Sequence, residues 1–146
     1  MTDCIFCKIV NHEIPNYTVY EDDHVLAYRD ISQVSKGHTL VIPKKHVADI
    51  FEYHQELAAT VFSKIPAIAR AVKEHDSDII GMNILNNNGS FAGQSVFHSH
   101  FHLIPRYEDT QIDGFGLKWE THNDAYSPED FEQITQAIKN EMEEIK

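Results

Sequence analysis

The sequence predicts a domain that mixes short β-strands with helices, and three patterns indicate this. Val19–Glu21 and Val25–Tyr28 flank a short polar turn, as expected for a hairpin. From about residue 54 to 75, apolar residues recur at spacings of four, four, three and four, which is typical of one helix face. In residues 97–104, histidines occupy every second position, as they would on one side of a strand.

Composition limits the range of functions. The chain has 146 residues, 42% of them hydrophobic, and a formal net charge of −11. Such a charge disfavours a protein that grips nucleic-acid backbone, because phosphate contacts need clustered Lys and Arg. No window approaches the length of a membrane span, and Met1–Cys4 lacks the features of a secretory signal. We therefore expect a cytoplasmic protein of one domain, with no nucleic-acid or membrane partner.

Cys4 and Cys7 form a C-x₂-C pair at the N-terminus. Thiolates at this spacing can bind one Zn²⁺, but two further ligands must come from elsewhere. Two ordinary buried thiols are an alternative. A redox pair is disfavoured, because no strand fits before residue 4.

The middle of the chain alternates strand and helix patterns. Residues 37–43 predict a third strand, entered at Gly37 and ended by Pro43. His46 follows it and is a candidate third metal ligand. Residues 54–75 predict one helix, which Pro66 should kink, and residues 81–86 predict a fourth strand.

The segment 87–95 is rich in Asn, Gly and Ser. Such a loop can turn backbone N–H groups towards an anion, although it matches neither a Walker A motif nor a dinucleotide-binding fingerprint. A plain connecting loop is the alternative. Its position just before the histidines favours a functional role.

His98, His100 and His102 fall in strict alternation within residues 97–104. On a strand, all three imidazoles would project to one face, about 6.6 Å apart, and the Pro105–Arg106 pair would end the strand. Imidazole suits nucleophilic, acid–base and metal chemistry near neutral pH. This segment is therefore the candidate functional centre.

The C-terminal part begins with a polar, irregular stretch over residues 106–126. Ser127 then predicts a helix start, with Pro128 in the first turn and acidic residues after it. Apolar residues at helical spacing predict a final amphipathic helix.

With these residues in view, the chain resembles the histidine-triad (HIT) family, in particular the bacterial type of its Hint branch. The family motif alternates histidine with apolar residues, and Ser99 departs from it here. We expect Ser99 to face away from the imidazoles and to alter packing only. The similarity covers roughly residues 4 to 107 and runs through Cys4-x-x-Cys7-Lys8-Ile9-Val10, Ile14-Pro15, Asp30-Ile31, Gly37-His38-x-Leu40-Val41-Ile42-Pro43-Lys44-Lys45-His46, Asn87-Asn88-Gly89, Gly93-Gln94-Ser95-Val96 and His98–Ile104.

The resemblance implies an α+β fold with a five-stranded antiparallel sheet and two main helices. It implies one domain over residues 1–146, with a core at about 4–107 and a C-terminal loop and helix at 108–146. Two copies would pair into a continuous ten-strand sheet, as a homodimer. It also implies a structural zinc site formed by Cys4, Cys7, His46 and His98.

The implied activity is hydrolysis of purine nucleoside 5′-phosphoramidates or related AMP-linked substrates through a nucleotidyl-histidine intermediate. His100 would be the nucleophile, His102 would contact phosphate oxygens and move protons, Ser95 would donate to the leaving group, and His38 would orient the triad. Asp30 would take the ribose hydroxyls. The implied nucleotide-binding residues are Phe6, Ile9, Asp30, Ile31, Leu40, Asn87, Gln94, Ser95, Val96, His100 and His102.

Three alternatives stay open at the level of sequence. A catalytic zinc could bind all three triad histidines directly. The substrate could be a dinucleoside polyphosphate. The chain could also be a purine-nucleotide-binding or interaction module with incidental activity.

Overall fold

A computed structural model describes residues 3–145 as a sheet with helices packed on it. The five strands are antiparallel and lie in the order β1-β2-β3-β5-β4. The strands are β1 Thr18–Glu21, β2 Val25–Arg29, β3 Thr39–Pro43, β4 Gly81–Leu85 and β5 Phe101–Arg106. The α-helices are α1 Ile5–Val10, α2 Gln55–Phe62, α3 Ile65–Glu74 and α4 Pro128–Ile145. The predicted α+β fold with a five-stranded antiparallel sheet is confirmed.

The predicted hairpin forms between β1 and β2. One carboxylate oxygen of Asp22 accepts the backbone N–H groups of His24 and Val25, both at 2.8 Å. An Asp side chain that bonds to the backbone two and three residues on stabilises a tight turn. The second strand therefore enters the sheet in register, opposite β3.

The sheet is buried on both faces by two separate clusters. One face packs on α2 and α3 through residues such as Ala27, Val41 and Leu103. The other face, with Leu26, Tyr28, Leu40 and Ile42, packs on Phe6 and Ile9 of α1. His102 alternates with Phe101 and Leu103, so it lies on the α1 face. The functional candidates are therefore to be found under α1.

The helix predicted over 54–75 is wrong in one respect, because the chain forms two helices there rather than one kinked helix. The first, α2, ends at Phe62, and Pro66 is the second residue of α3. Proline lacks the N–H that would bond to the carbonyl of Phe62, and it is tolerated in a first turn. With α1 and α4, the described chain thus has four α-helices where the resemblance implied two main ones.

The strand predicted over 97–104 begins later than expected, at Phe101. The pairing of Val41 with Phe101 would, if continued, set Ser99 opposite Pro43, which has no N–H to donate. The Ser99 N–H bonds instead to the carbonyl of Val47 at 2.7 Å. Residues 97–100 therefore leave the ladder, and only His102 of the three histidines lies on a strand.

The same strand also ends later than predicted, because Pro105 does not stop it. The Ile80 N–H donates to the carbonyl of Arg106, so the polar groups of Arg106 face β4. The backbone polar groups of Pro105 face the other way, towards β3. Pairing of β3 with β5 reaches only Thr39 and Leu103, so the missing proline N–H forfeits no ladder bond.

The chain divides into two compact units, the first running to Phe115 and the second from Gly116 onward. In the second unit, the predicted start of α4 is confirmed: the Asp130 N–H donates to Ser127 Oγ, and the Ser127 N–H donates to the Asp130 carboxylate. The apolar side chains of α4 are exposed. That all 146 residues form one domain stays a prediction. No helix within residues 3–145 is both long and apolar enough to cross a bilayer.

Candidate functional site

His98 is fully buried, and its ring tautomer is set by the backbone. Its Nε2 lies 2.8 Å from the carbonyl of Pro43 and must donate to it, because a carbonyl only accepts. The other ring nitrogen, Nδ1, therefore carries a lone pair. That lone pair lies 3.4 Å from Sγ of Cys4 and 3.6 Å from Sγ of Cys7.

The two cysteines, His98 and His46 form a cluster that can hold a metal ion. Their four donor atoms all lie within 4.8 Å of one another, and Cys7 Sγ lies 3.3 Å from His46 Nδ1. Zinc, with bonds of about 2.3 Å to sulfur and about 2.0–2.1 Å to nitrogen, would place tetrahedral donors about 3.3–3.8 Å apart. The donor set and its spacing both fit that geometry.

Helix α1 brings the cysteines into this cluster. Cys4 is its N-cap residue, and Cys4 Sγ accepts the N–H of Cys7 at 3.2 Å. Burial, together with the neighbouring Cys4 thiol, raises the pKa of Cys7 to about 11. A metal must therefore displace a proton to bind this thiol. Cys7 and His46 also line a cavity of about 620 Å³, which gives an ion a route to the cluster.

His100 presents one free ring nitrogen. Its Nδ1 donates to the carbonyl of His98 at 2.8 Å, so Nε2 carries the lone pair. The ring of Phe6 packs edge-on against it, with centroids 5.0 Å apart, and His100 is only 6% exposed. Burial lowers the pKa of His100, although its bond to the carbonyl opposes this. The imidazole is therefore neutral near pH 7 and can act as a nucleophile.

His102 presents the opposite tautomer. The Val34 N–H donates to His38 Nδ1 at 3.2 Å, so His38 Nε2 carries the proton and donates to His102 Nδ1 at 2.9 Å. His102 Nε2 is then an N–H donor. Burial and the neighbouring histidines lower the pKa of His102 to about 4, and burial lowers that of His38 although Asp30 opposes it.

The rings of His100 and His102 lie 5.0 Å apart, centroid to centroid. A neutral nitrogen nucleophile therefore stands beside an N–H donor. This pair can attack an electrophilic centre and stabilise the negative charge that develops on its oxygens. His98 does not join it, because its free nitrogen faces the cysteines.

Asp30 lies at the edge of this pair. One carboxylate oxygen accepts the Ser32 N–H at 2.8 Å, and the other lies 3.8 Å from His38 Nε2. The residue thus caps a turn and also faces the histidines. Ile31 beside it is 85% exposed, in contrast to the buried Phe6. Ile31 and Asp30 line a cavity of about 320 Å³.

The apolar residues that the resemblance assigned to the base separate into two groups. Phe6, Ile9 and Leu40 are buried in the cluster under α1. Val96 is partly buried against the same cluster. Ile31 is the one member of the set that stands at the surface. The buried members can form only the floor of a base slot, whereas Ile31 can form a wall.

The nucleotide contact that the resemblance implies for Gln94 needs a correction. Its side chain is 4% exposed, and its oxygen accepts the Gly89 N–H at 2.8 Å. Its amide nitrogen donates to the carbonyls of Ala48 at 2.6 Å and Val96 at 3.0 Å. With its backbone N–H also bonded to Gly89, Gln94 fastens the loop and has no free donor.

The other loop residues are more open. Ser95 is exposed, and it lines a cavity of about 420 Å³ together with Val96 and Cys4. The Asn87 amide contacts the carbonyl of Gly93 at 3.5 Å. Gly93 has a φ of +96°, which an L side chain rarely adopts. The loop is therefore shaped by its glycines and by Gln94, while Ser95 stays available to a ligand.

Two residues near the site were missed by sequence reasoning. Asn86 donates its side-chain N–H to the carbonyl of His100 at 2.9 Å. The hydroxyl of Tyr53 lies 3.0 Å from Ser99 Oγ, and Tyr53 packs on the face of the sheet that α2 and α3 cover. Ser99 thus faces away from the imidazoles, as expected. The run of three asparagines was the available signal for Asn86; nothing local singled out Tyr53.

Comparison with known proteins gives one family. A family model described as "HIT domain" matches residues 11–109. The chain is 54% identical over 140 residues to "Protein hit" of Bacillus subtilis, covering 96% of this chain and 94% of that protein. It is 36% identical to "Adenosine 5'-monophosphoramidase hnt1" of Schizosaccharomyces pombe, covering 95% and 98%.

Solved structures agree with these matches. A HIT family protein from Bacillus subtilis superposes with a TM-score of 0.89 at 55% identity, over 94% of this chain and 96% of that one. A Zn-bound histidine triad family protein from Mycobacterium smegmatis has a TM-score of 0.69 at 38% identity, over 77% and 81%.

The lowered pKa of His102 predicts an acid-sensitive fold. An unfolded histidine takes up a proton near pH 6.5, but folded His102 does so only near pH 4. The unfolded state therefore binds more protons in this window, and stability falls as pH falls through it. We expect the free energy of unfolding to drop from pH 6.5 to 4 by about 1–3 kcal/mol more in the wild type than in His102→Gln.

Urea unfolding followed by far-UV circular dichroism at several pH values measures this difference. Both proteins keep the metal cluster, so its contribution cancels. Parallel stability curves for the two proteins would contradict the assignment.

Proposed function

Because this chain belongs to the HIT family, we propose that it is a hydrolase that cleaves purine nucleoside 5′-phosphoramidates through a covalent histidine intermediate. The observation that carries the proposal is the bond from His100 Nδ1 to the carbonyl of His98, which leaves Nε2 free to attack. The relative named adenosine 5′-monophosphoramidase supports the substrate class.

In the first step, the lone pair of His100 Nε2 attacks the α-phosphorus. The N–P bond to His100 forms as the bond to the leaving nitrogen breaks, and that electron pair goes to the leaving nitrogen, which takes a proton that solvent supplies through the exposed Ser95 hydroxyl. The intermediate carries its positive charge on the His100 ring, where Nδ1–H stays bonded to the His98 carbonyl. His102 Nε2–H donates to the phosphate oxygens.

In the second step, water attacks the same phosphorus. The bond from His100 Nε2 to phosphorus breaks, its electron pair returns to Nε2, and the attacking water releases a proton to solvent. The nucleoside monophosphate leaves. Splitting one displacement into two lowers the barrier that each must cross.

Asp30 and the residues around it bind the nucleoside. The carboxylate binds the ribose hydroxyls, since its oxygens keep unused lone pairs beside one turn contact. Ile31 covers the base from the surface side, and the buried Phe6, Ile9 and Leu40 form the floor of the slot. Adenine is the expected base.

The cluster of Cys4, Cys7, His46 and His98 would hold Zn²⁺. Four protein ligands would leave no open position, so the ion would supply structure rather than chemistry. A catalytic zinc on the three triad histidines is disfavoured, because the free nitrogen of His98 faces the cysteines and His100 Nδ1 is bonded to a carbonyl.

We further propose a homodimer in which β4 of each copy pairs with the other, giving ten strands. β4 is an edge strand that pairs regularly with β5 over its whole length. The opposite edge, β1, has an irregular register between Thr18 and Tyr20, which makes it a poor template for pairing. Ile84 on β4 is 54% exposed and would be covered.

Removing the nucleophile tests the reaction. His100→Ala should lower kcat on an adenosine 5′-phosphoramidate by about 10³-fold or more, because no other nitrogen occupies this position. His122→Ala, which changes an exposed histidine of the second unit, is the control and should keep wild-type turnover. Unchanged turnover in His100→Ala would show that the assignment is wrong.

Trapping the intermediate separates the competing functions. Mass spectrometry of acid-quenched wild-type protein should show an added nucleotidyl group on His100. A screen over phosphoramidates and dinucleoside polyphosphates then ranks the leaving groups by kcat/KM. A protein that binds AMP but forms no adduct and turns over no substrate is a binding module instead.

The dimer has its own test. Ile84→Lys places a charge on the β4 edge and should convert a dimer to a monomer in light scattering after size exclusion. Val19→Lys makes the same change on the β1 edge, where Val19 is 42% exposed, and should leave the dimer intact. A wild-type monomer, or a dimer that survives Ile84→Lys, argues against pairing through β4.

A further inference from the structure

We infer that the metal centre controls the nucleophile, so that Cys4, Cys7 and His46 act as positioning residues for His100. This inference deepens the proposed function and rests on it. Two physical connections run from the cluster to the His100 ring, one through residue 98 and one through α1.

The first connection is His98 itself, which serves both sites. Its side chain points Nδ1 at the cysteines, and its backbone carbonyl accepts the Nδ1–H of His100. An ion bound to His98 therefore fixes the residue whose carbonyl selects the nucleophilic tautomer. Turning that carbonyl away would let the His100 proton move to Nε2, the atom that must attack.

The second connection is Phe6, which lies between the two cysteines in the sequence. Its ring packs edge-on on His100 at 5.0 Å and on His98 at 5.9 Å. A metal bound by Cys4 and Cys7 fastens α1 at its first turn. It therefore holds Phe6 over the nucleophile.

Neither connection lies in a long regular element. Helix α1 has six residues, too few to be stable alone. Residues 97–100 lie outside the β-ladder. What ties both together is the set of four ligands from α1, the chain after β3 and residue 98.

The metal cluster is also accessible from solvent, so that gain or loss of the ion can control His100. Cys7 and His46 line the cavity of about 620 Å³, with Lys8 and Glu13 nearby on its wall. A chelator or a metal donor can approach from this side. Metal can therefore exchange without opening the sheet.

The expected effect of metal loss is on kcat more than on KM. Groups in the outer shell of a metal site are typically coupled to it by about 10- to 100-fold in metal affinity or activity. We expect the metal-free protein, and His46→Asn, to lose kcat by that factor while AMP still binds. His46→Cys supplies a third thiolate, should retain the metal and should restore kcat.

The direct measurement is the His100 tautomer, by long-range ¹H–¹⁵N correlation of the imidazole at a single pH. Metal content is determined on the same samples. Metal-loaded wild type and His46→Cys should show a single Nδ1–H form. Metal-free wild type and His46→Asn should show exchange with the Nε2–H form. An unchanged tautomer with unchanged kcat in a folded, metal-free protein overturns the inference.

The loaded protein gives a second test that does not require the metal-free chain to fold. Phe6→Leu keeps all four ligands but removes the ring on His100. It should retain metal and still broaden the His100 signals; unbroadened signals overturn the connection through α1. Phe51→Leu, at an exposed phenylalanine, is the matched control. Loaded wild type that shows the Nδ1–H form but no turnover on any AMP-linked substrate contradicts the proposed function alone.

Discussion

The carbonyl of Pro43 is the constraint on which the site depends. Because proline has no N–H, the ladder between β3 and β5 stops before Ser99, and the Pro43 carbonyl is left without a strand partner. A buried carbonyl needs a donor, and the ring of His98 provides it. That bond turns the lone pair of His98 towards the cysteines. Because residues 97–100 lie outside the ladder, the His98 carbonyl also has no strand partner, and it accepts the Nδ1–H of His100. One missing donor thus sets the tautomers of two histidines.

The fold keeps the buried histidines neutral. Burial lowers the pKa of His98 and His102 to about 4 and lowers that of His100 and His38. A chain with a net charge of −11 needs local donors to accept a phosphate, and neutral imidazole N–H groups supply them without burying a cation. In the proposed function, the same neutrality would leave nitrogen lone pairs for a metal and for attack on phosphorus. Each role is assigned by the group that holds the other ring nitrogen, which is a backbone carbonyl for His98 and His100 and the His38 ring for His102.

Sequence patterns predicted most of the fold but not the local structure at the site. The hairpin, the helical periodicity and the start of α4 could be predicted from the sequence, because each depends on residues that are close together in the chain. The start of β5 was not, because it depends on Pro43, far along the chain, which decides where pairing ends. The role of Gln94 was missed for a similar reason, since its partner at Ala48 comes from another loop. Strict alternation of histidines looked like a strand, yet the ladder excludes His98 and His100.

Ser99 anchors residues 97–100 on the face of the sheet opposite the imidazoles. It is buried, and its N–H bonds to Val47 while its hydroxyl meets that of Tyr53. A buried hydroxyl without a partner costs about 1–3 kcal/mol, so the contact with Tyr53 compensates for the burial of the Ser99 hydroxyl. An apolar residue at position 99 would remove this partner from the half-buried Tyr53 side chain. Ser99, which departs from the apolar pattern, is therefore the partner of Tyr53. Both side chains lie on the α2–α3 face of the sheet, opposite the imidazoles.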